Sequence, residues 1–158
     1  MVPDVFGDLK ETREVLDIIE YLRNSGRLDD HQYGLARILR FKEDPQLQEA
    51  AIDCLNAIGC ASDVLITDTL NLVVTPETPV LLRVTAVRAL GRLVPRYTRT
   101  ATSELDPGHV YQTMRNLAAR PQPPILGGAL ALTLDQLAPQ IRRALLARPP
   151  AAGALPIP

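Results

Sequence analysis

Two stretches of the chain, DPQLQEAAIDCLNAIG at 44–59 and TPVLLRVTAVRALGRL at 78–93, share one pattern. Each opens with a polar residue followed by proline, an order typical of a helix start, because proline lacks the N–H that the first turn leaves unbonded. Small and branched apolar residues then recur at helical spacing. An offset of 35 residues pairs small with small and large with large side chains: Leu47 with Leu82, Ala51 with Ala86, Cys54 with Ala89, Leu55 with Leu90 and Ile58 with Leu93.

A weaker third copy of the same unit follows at 125–137. Compared with the second copy it is shifted by 44 residues, and the extra nine (44 minus 35) fall in the polar segment 96–106. A further predicted helix precedes each copy. The unit is therefore a helix pair of about 35 to 45 residues, which is the period of an α-solenoid. The shift places Leu126 on Leu82, Leu130 on Ala86, Leu134 on Leu90 and Leu137 on Leu93.

The second stretch resembles the second helices of HEAT-like repeats, in which Asp-Pro is followed by small residues and by Ala-Leu-Gly-x-Leu. The first stretch departs from that pattern, with Gln48 for an arginine and Asn56 for the glycine. The resemblance implies an all-α, right-handed, armadillo-like α-solenoid of antiparallel helix pairs. Most proteins of this family act as binding surfaces or adaptors, and a minority resemble phycobilin lyases or DNA glycosylases. The matching positions are Arg83, Ala86, Ala89, Leu90, Gly91 and Leu93.

Start and stop signals divide the chain into about eight helices. Gly26 should end the first, and Ser62 can cap the fourth, whose β-branched residues would also fit a strand. Pro139 should separate the last two. We predict one HEAT-like repeat domain at 1–148 and an extended or disordered, proline-rich tail at 149–158. The expected helices begin near residues 8, 29, 44, 62, 78, 106, 125 and 139.

Composition favours a closely packed helical core. The 158 residues include no Trp and only six Phe and Tyr, so the core must consist of Leu, Ile, Val and Ala. Scarce aromatic residues disfavour a stacking surface for single-stranded nucleic acid. The longest apolar run, at 125–134, is too short to span a bilayer, and the N-terminal segment has no apolar signal core. We therefore expect a soluble, cytoplasmic protein that does not bind membranes.

No catalytic or metal-binding motif occurs in the sequence. Cys54 and Cys60 fit no zinc spacing and are expected to be buried, reduced thiols. His31 and His109 are the only histidines, and no His-Glu dipeptide is present. The serines lie at turn or cap positions without a nucleophile-elbow pattern. We therefore predict a protein that is not an enzyme and that needs no metal and no cofactor.

Charge is divided unevenly between the two halves of the chain. Residues 1–77 hold 15 acidic and 7 basic side chains, a net charge of −8, whereas residues 78–158 hold 3 acidic and 10 basic, a net charge of +7. No acid occurs between Thr78 and Ser103, where five arginines do. Such a stretch favours an anion or an acidic partner. The five are Arg83, Arg88, Arg92, Arg96 and Arg99.

Two interpretations of these arginines stay open. The 35-residue offset places Arg88 over Asp53, so such pairs could join neighbouring repeats instead of meeting a partner, and we expect Arg88 to contribute mainly to structure through Asp53. Arg92 and Arg96 have only alanines at the equivalent positions, 57 and 61, and we expect both to be exposed and to bind the partner. The segment 96–106 is either a partner-contacting loop or a tolerated insertion.

The function that the sequence favours is a non-enzymatic protein-binding or adaptor module whose partner carries an acidic patch. Two alternatives are a nucleic-acid-binding protein resembling the DNA glycosylases and a scaffold that self-associates head to tail through its oppositely charged halves. A near-neutral total charge argues against the first alternative. The ridge of second helices that forms the binding surface is also expected to include Gln48. The predicted partner-binding residues are Ile52, Asp53, Asn56, Arg83, Val87, Arg88, Arg92, Arg96 and Arg99.

Overall fold

A computed structural model describes residues 4–97, 99 and 102–147, and the regular structure among them is helical. Three short 3₁₀ helices accompany seven α-helices. The described residues contain no β-strand, only an isolated bridge between Ala61 and Tyr97. The predicted tail at 149–158 lies outside the described residues. The α-helices are α1 (Thr12–Ser25), α2 (Gln32–Leu39), α3 (Pro45–Cys54), α4 (Asp63–Val74), α5 (Val80–Leu93), α6 (Pro107–Ala118) and α7 (Pro124–Leu146); the 3₁₀ helices are Leu28–His31, Leu55–Ala57 and Val94–Arg96.

Polar caps begin several helices where the sequence predicts them. The Asp44 carboxylate accepts hydrogen bonds from the N–H groups of Gln46 and Leu47, at 3.1 and 3.3 Å. The Ser62 hydroxyl accepts one from the Leu65 N–H at 3.4 Å. These oxygens satisfy donors that the first helical turn leaves unbonded. The segment after Ser62, for which a strand was the alternative, is therefore helical.

The prediction of two separate helices after residue 124 was wrong, because α7 runs through Pro139 without a break. Proline removes the hydrogen bond that its own nitrogen would donate to the carbonyl of Asp135, and its ring crowds the same carbonyl. On either side of the proline, Leu137 and Ile141 are both buried. Burial of this apolar stripe keeps the two halves of α7 in one helix despite the missing bond.

The helices contact one another in an alternating order. Each even-numbered helix packs against the next even-numbered one, α2 on α4 and α4 on α6. Each odd-numbered helix likewise packs on the next, from α1 through α3 and α5 to α7. Consecutive helices also pair, α2 with α3, α4 with α5, and α6 with α7. Helix α1 therefore stands beside α3 as the first member of the odd-numbered set.

All ten residues paired by the 35-residue offset are buried, and they belong to one hydrophobic cluster. In the weaker third copy Leu126, Leu130 and Leu137 are also buried, and Leu134 is partly buried against the same cluster. Repeat-equivalent positions thus face the same interior in three successive odd-numbered helices. The sequence period and the packing agree at these positions.

A polar contact recurs with the same offset. Gln48 of α3 donates from Nε2 to the carbonyl of Leu39, at the end of α2, over 2.7 Å. Thirty-five residues later, Arg83 of α5 donates from Nε to the carbonyl of Val73, in the last turn of α4, over 2.9 Å. Both side chains are buried. Each therefore satisfies a helix-terminal acceptor that has no partner within its own helix.

Asp68 of α4 is a buried carboxylate with incomplete partners. The side chain is 9% exposed, and its Oδ2 lies 3.5 Å from Nε of Arg40, the residue that follows α2, yet accepts no hydrogen bond in the described structure. Burial raises the pKa of Asp68, and Arg40 and Asn71 only partly oppose that rise. The folded protein therefore holds a proton at Asp68 more tightly than the unfolded chain does, so stability falls as the pH rises through the folded pKa.

Replacing Asp68 with Asn should stabilise the protein at pH 7, because the amide avoids the cost of burying a charge. Since protonated Asp68 escapes the same cost, the advantage of the variant should shrink as the pH falls toward 4. Urea midpoints between pH 4 and 7 measure this, with Asp17→Asn, at an exposed position of α1, as the control. A variant that is less stable than wild type at pH 7 would show instead that the ionised contact with Arg40 is net stabilising.

Candidate partner-binding site

Three of the nine predicted binding residues, and Gln48 of the predicted ridge with them, are buried and cannot form an exposed ridge. Ile52 is 1% exposed, Val87 0% and Arg83 7%. Ile52 and Val87 occupy the repeat-equivalent position of α3 and α5, and both belong to the hydrophobic cluster. The guanidinium of Arg83 is held by the end of α4. The expectation that these side chains meet a partner was wrong, because the inward face of each helix is wider than the sequence pattern indicated.

Arg96 is held by the preceding repeat and is not a free cation. Its Nη1 donates to the carbonyl oxygens of Asn56 and Ile58 at 2.9 and 2.8 Å. The Ala61 N–H in turn donates to the Arg96 carbonyl at 2.9 Å. The sequence comparison found no acidic residue opposite Arg96, but main-chain carbonyls accept from it equally well. Arg96 is exposed, as predicted, and these bonds give it a structural role, while its role in partner binding stays a prediction.

The expected ion pair between Arg88 and Asp53 is absent from the described part of the chain. Both side chains are exposed. Asp53 interacts electrostatically with Arg23 of α1, whereas Arg88 lies against α7. The structural role predicted for Arg88 was therefore wrong, and its guanidinium is available to a partner together with that of Arg92.

Arg88 and Arg92 line a groove between α5 and α7, which we call the α5–α7 groove. They lie one helical turn apart on α5, so their side chains share one face. The cavity volume of the groove is about 180 Å³. The wall formed by α7 consists of Ala129, Leu132, Thr133 and Gln136.

Gly91 lets the two helices approach closely beneath this groove. A Cβ atom at position 91 would lie 3.1 Å from Gln136 Oε1 and 3.2 Å from Thr133 Cγ2, which is closer than ordinary van der Waals contact. Close packing of α5 against α7 therefore explains the glycine at this position of the HEAT-like pattern. It brings two polar side chains of α7 next to the arginines of α5.

The charged side chains that line the groove are all positive. Neither Arg88 nor Arg92 has a hydrogen bond or an ion pair with a described residue, and no acidic side chain lines the groove. Like charges one turn apart destabilise a helix by roughly 0.2–0.5 kcal/mol. A bound anion would relieve that repulsion, and two guanidinium groups supply donors in the geometry that carboxylates and phosphates accept.

The other predicted residues lie outside this groove. Asp53 and Asn56 are exposed on or just after α3, and the Asn56 carbonyl is used by Arg96. Arg99 lines a separate cavity of about 350 Å³ with Tyr97, Asp106 and the end of α7. The structure therefore brings together only Arg88 and Arg92 of the nine predicted residues.

The segment 96–106 is tied to the fold at several described residues. The Glu104 N–H donates to the Asp63 carboxylate at 3.3 Å, and the Tyr97 hydroxyl donates to the Leu105 carbonyl at 3.5 Å. Burial raises the pKa of Tyr97, and hydrogen bonding with Ser103 opposes that rise. These contacts favour a structural role for the segment.

Sequence reasoning missed the contribution of α7 to the groove. The 44-residue shift between the second and third copies places Leu132 on Arg88 and Gln136 on Arg92. The groove is therefore lined by equivalent positions of successive helices. That register was a sufficient signal, but the prediction was based on charge and so left out the neutral residues of the third copy.

The cysteines differ in exposure. Cys54 is buried as predicted, burial raises the pKa of its thiol, and its Sγ accepts a hydrogen bond from Arg23 Nη2 at 3.4 Å. Cys60 is exposed, so the prediction that it is buried was wrong. No cluster of three metal-ligating side chains occurs among the described residues. Within the same residues, no helix has both the length and the apolarity needed to cross a bilayer.

Arg96→Ala should lower the free energy of unfolding by about 1–2 kcal/mol, because it removes two hydrogen bonds to carbonyls of the preceding repeat. Arg92→Ala, which removes the same charge from a side chain without a described partner, should change stability by no more than about 0.5 kcal/mol. Urea denaturation of both variants separates a structural from an accessible arginine. Equal losses in the two would refute the distinction.

Comparisons with protein-family models, with curated proteins and with solved structures find no match. The family resemblance therefore depends on the repeat pattern of the sequence, and the site depends on the geometry of the α5–α7 groove.

Proposed function

We propose that the chain is a right-handed, HEAT-like α-solenoid of stacked helix pairs, with α1 capping its N-terminal end. Three features support this architecture. The odd-numbered helices contact one another in order, and so do the even-numbered ones. The residues related by the 35-residue offset share their burial. The carbonyl contacts of Gln48 and Arg83 recur with the same offset.

The function that this geometry supports best is a non-enzymatic protein-binding or adaptor module. The observation that carries the proposal is the pair of exposed guanidinium groups in the α5–α7 groove, neither of which has an acceptor among the described residues. Stacked repeats hold such a surface rigid, so a partner can bind without ordering it first. Each arginine would thereby contribute directly to recognition.

The partner in this proposal is a protein with an acidic patch. A carboxylate entering the groove would meet two positive charges and no negative one, and exposed Leu132 would offer an apolar contact beside them. We also propose a cytoplasmic location, because two unpaired cysteines suit a reducing compartment.

Reversing both charges of the groove with Arg88→Glu and Arg92→Glu should abolish capture of the partner from native lysate. The matched control reverses two exposed arginines on and after α6, Arg115→Glu and Arg120→Glu, and changes the net charge by the same amount. The control should capture the same proteins as wild type. Identical sets captured by wild type and by both double variants would show that the groove is not the binding surface.

Once the captured partner is identified, the rate at which it associates tests the groove more directly. Electrostatic complementarity acts chiefly on the association rate. The groove variant should associate several-fold more slowly than the control, with a flatter dependence on salt, while the circular dichroism spectra of both match wild type. Equal rates and equal salt slopes for the two variants would count against the groove.

A further inference from the structure

Thr133 is a polar side chain without a partner in the wall of the α5–α7 groove. The residue is 2% exposed, yet its hydroxyl makes no hydrogen bond with any described residue. Other helical threonines in the interior do not share this state: Thr69, which is also buried, donates to the Leu65 carbonyl at 2.7 Å. The Thr133 hydroxyl oxygen keeps some access to solvent at the groove wall, so it is free to donate a hydrogen bond to a ligand there.

The neighbours of Thr133 in the groove are themselves donors. Arg88 and Arg92 contribute guanidinium groups from α5, and Gln136 contributes a side-chain amide from the next turn of α7. Gly91 keeps Thr133 and Gln136 close to α5. No carboxylate lines the groove. Four side chains able to donate hydrogen bonds thus surround one small cavity.

We infer that the α5–α7 groove is an oxyanion-binding site, which we call the oxyanion seat. It binds a single carboxylate or phosphoryl group from a segment of the partner. Arg88 and Arg92 neutralise its charge, while the Thr133 hydroxyl and the Gln136 amide donate to its oxygens. Exposed Leu132 packs against the apolar residue next to the anion. This inference rests on the proposed protein-binding function and specifies the chemical group that the groove recognises.

The groups present favour an oxyanion over other ligands. A cation would meet two uncompensated positive charges. A wholly apolar side chain would leave the Thr133 hydroxyl and both guanidinium groups desolvated without acceptors, which is unfavourable. An oxyanion satisfies all of these donors, and arginine binds such groups with paired hydrogen bonds.

The test uses inorganic phosphate and N-acetylglutamate as probes of the folded full chain. Titration followed by two-dimensional ¹⁵N NMR should give saturable shifts centred on the amides of residues 88, 92, 133 and 136. Thr133→Val keeps the side-chain shape and removes only the hydroxyl. Because a hydrogen bond to a charged group is lost, it should weaken binding of the preferred probe about tenfold.

The same variant separates binding from structure. Since the hydroxyl has no partner among the described residues, Thr133→Val should melt at the same temperature as wild type or higher. Tighter binding of phosphate would identify a phosphoryl group as the ligand, and tighter binding of N-acetylglutamate would identify a carboxylate; both results support the oxyanion seat. Unchanged affinity of Thr133→Val for both probes, or shifts equally large near Arg115 and Arg120, would overturn it.

Failure of the inference can be distinguished from failure of the proposed function. Partner capture that depends on Arg88 and Arg92, with anion affinity that is independent of Thr133, would leave a general electrostatic surface and refute the seat. Anion binding that depends on Thr133, with no partner lost on charge reversal, would keep the seat and refute the protein-binding function.

Discussion

The structure depends on two buried hydrogen bonds, one from α3 and one from α5, each to the end of the helix before it. Gln48 bonds the carbonyl of Leu39, and Arg83 bonds that of Val73. A helix end leaves carbonyls without partners, and a buried one costs about 1–3 kcal/mol when nothing donates to it. The two side chains remove that cost and at the same time fix the rotation of α3 and α5 against their partners.

That fixed rotation determines which side chains of α5 reach the surface. With Arg83 directed at the end of α4, Val87 and Leu90 face the core, and Arg88 and Arg92 lie on the outer side. Gly91 then admits α7 at close range, and the α5–α7 groove forms above the contact. The accessible arginines are therefore a consequence of the buried one.

Much of the fold follows from the sequence, because the 35-residue period and the caps are local signals that packing then satisfies. The site was less predictable. Arg83, Arg92 and Arg96 look alike in a stretch without acids, and only main-chain carbonyls contributed by other elements distinguish Arg83 and Arg96, which are bonded to them, from Arg92, which has no described partner. Which main-chain carbonyls lie close to a given side chain cannot be predicted from the sequence. The prediction of a helix break at Pro139 was wrong for a similar reason, since burial of the flanking residues outweighs one lost hydrogen bond of the helix.

The most direct test of this account is the free energy of unfolding of Gln48→Met and Arg83→Met, measured by urea denaturation with Arg92→Met as the control. Methionine keeps a long unbranched side chain but cannot donate to the helix-terminal carbonyl. The account predicts that each of the two substitutions costs about 1–3 kcal/mol and that the control stays within about 0.5 kcal/mol of wild type. Losses at positions 48 and 83 no larger than that of the control would contradict the claim that these bonds determine how the helix pairs assemble.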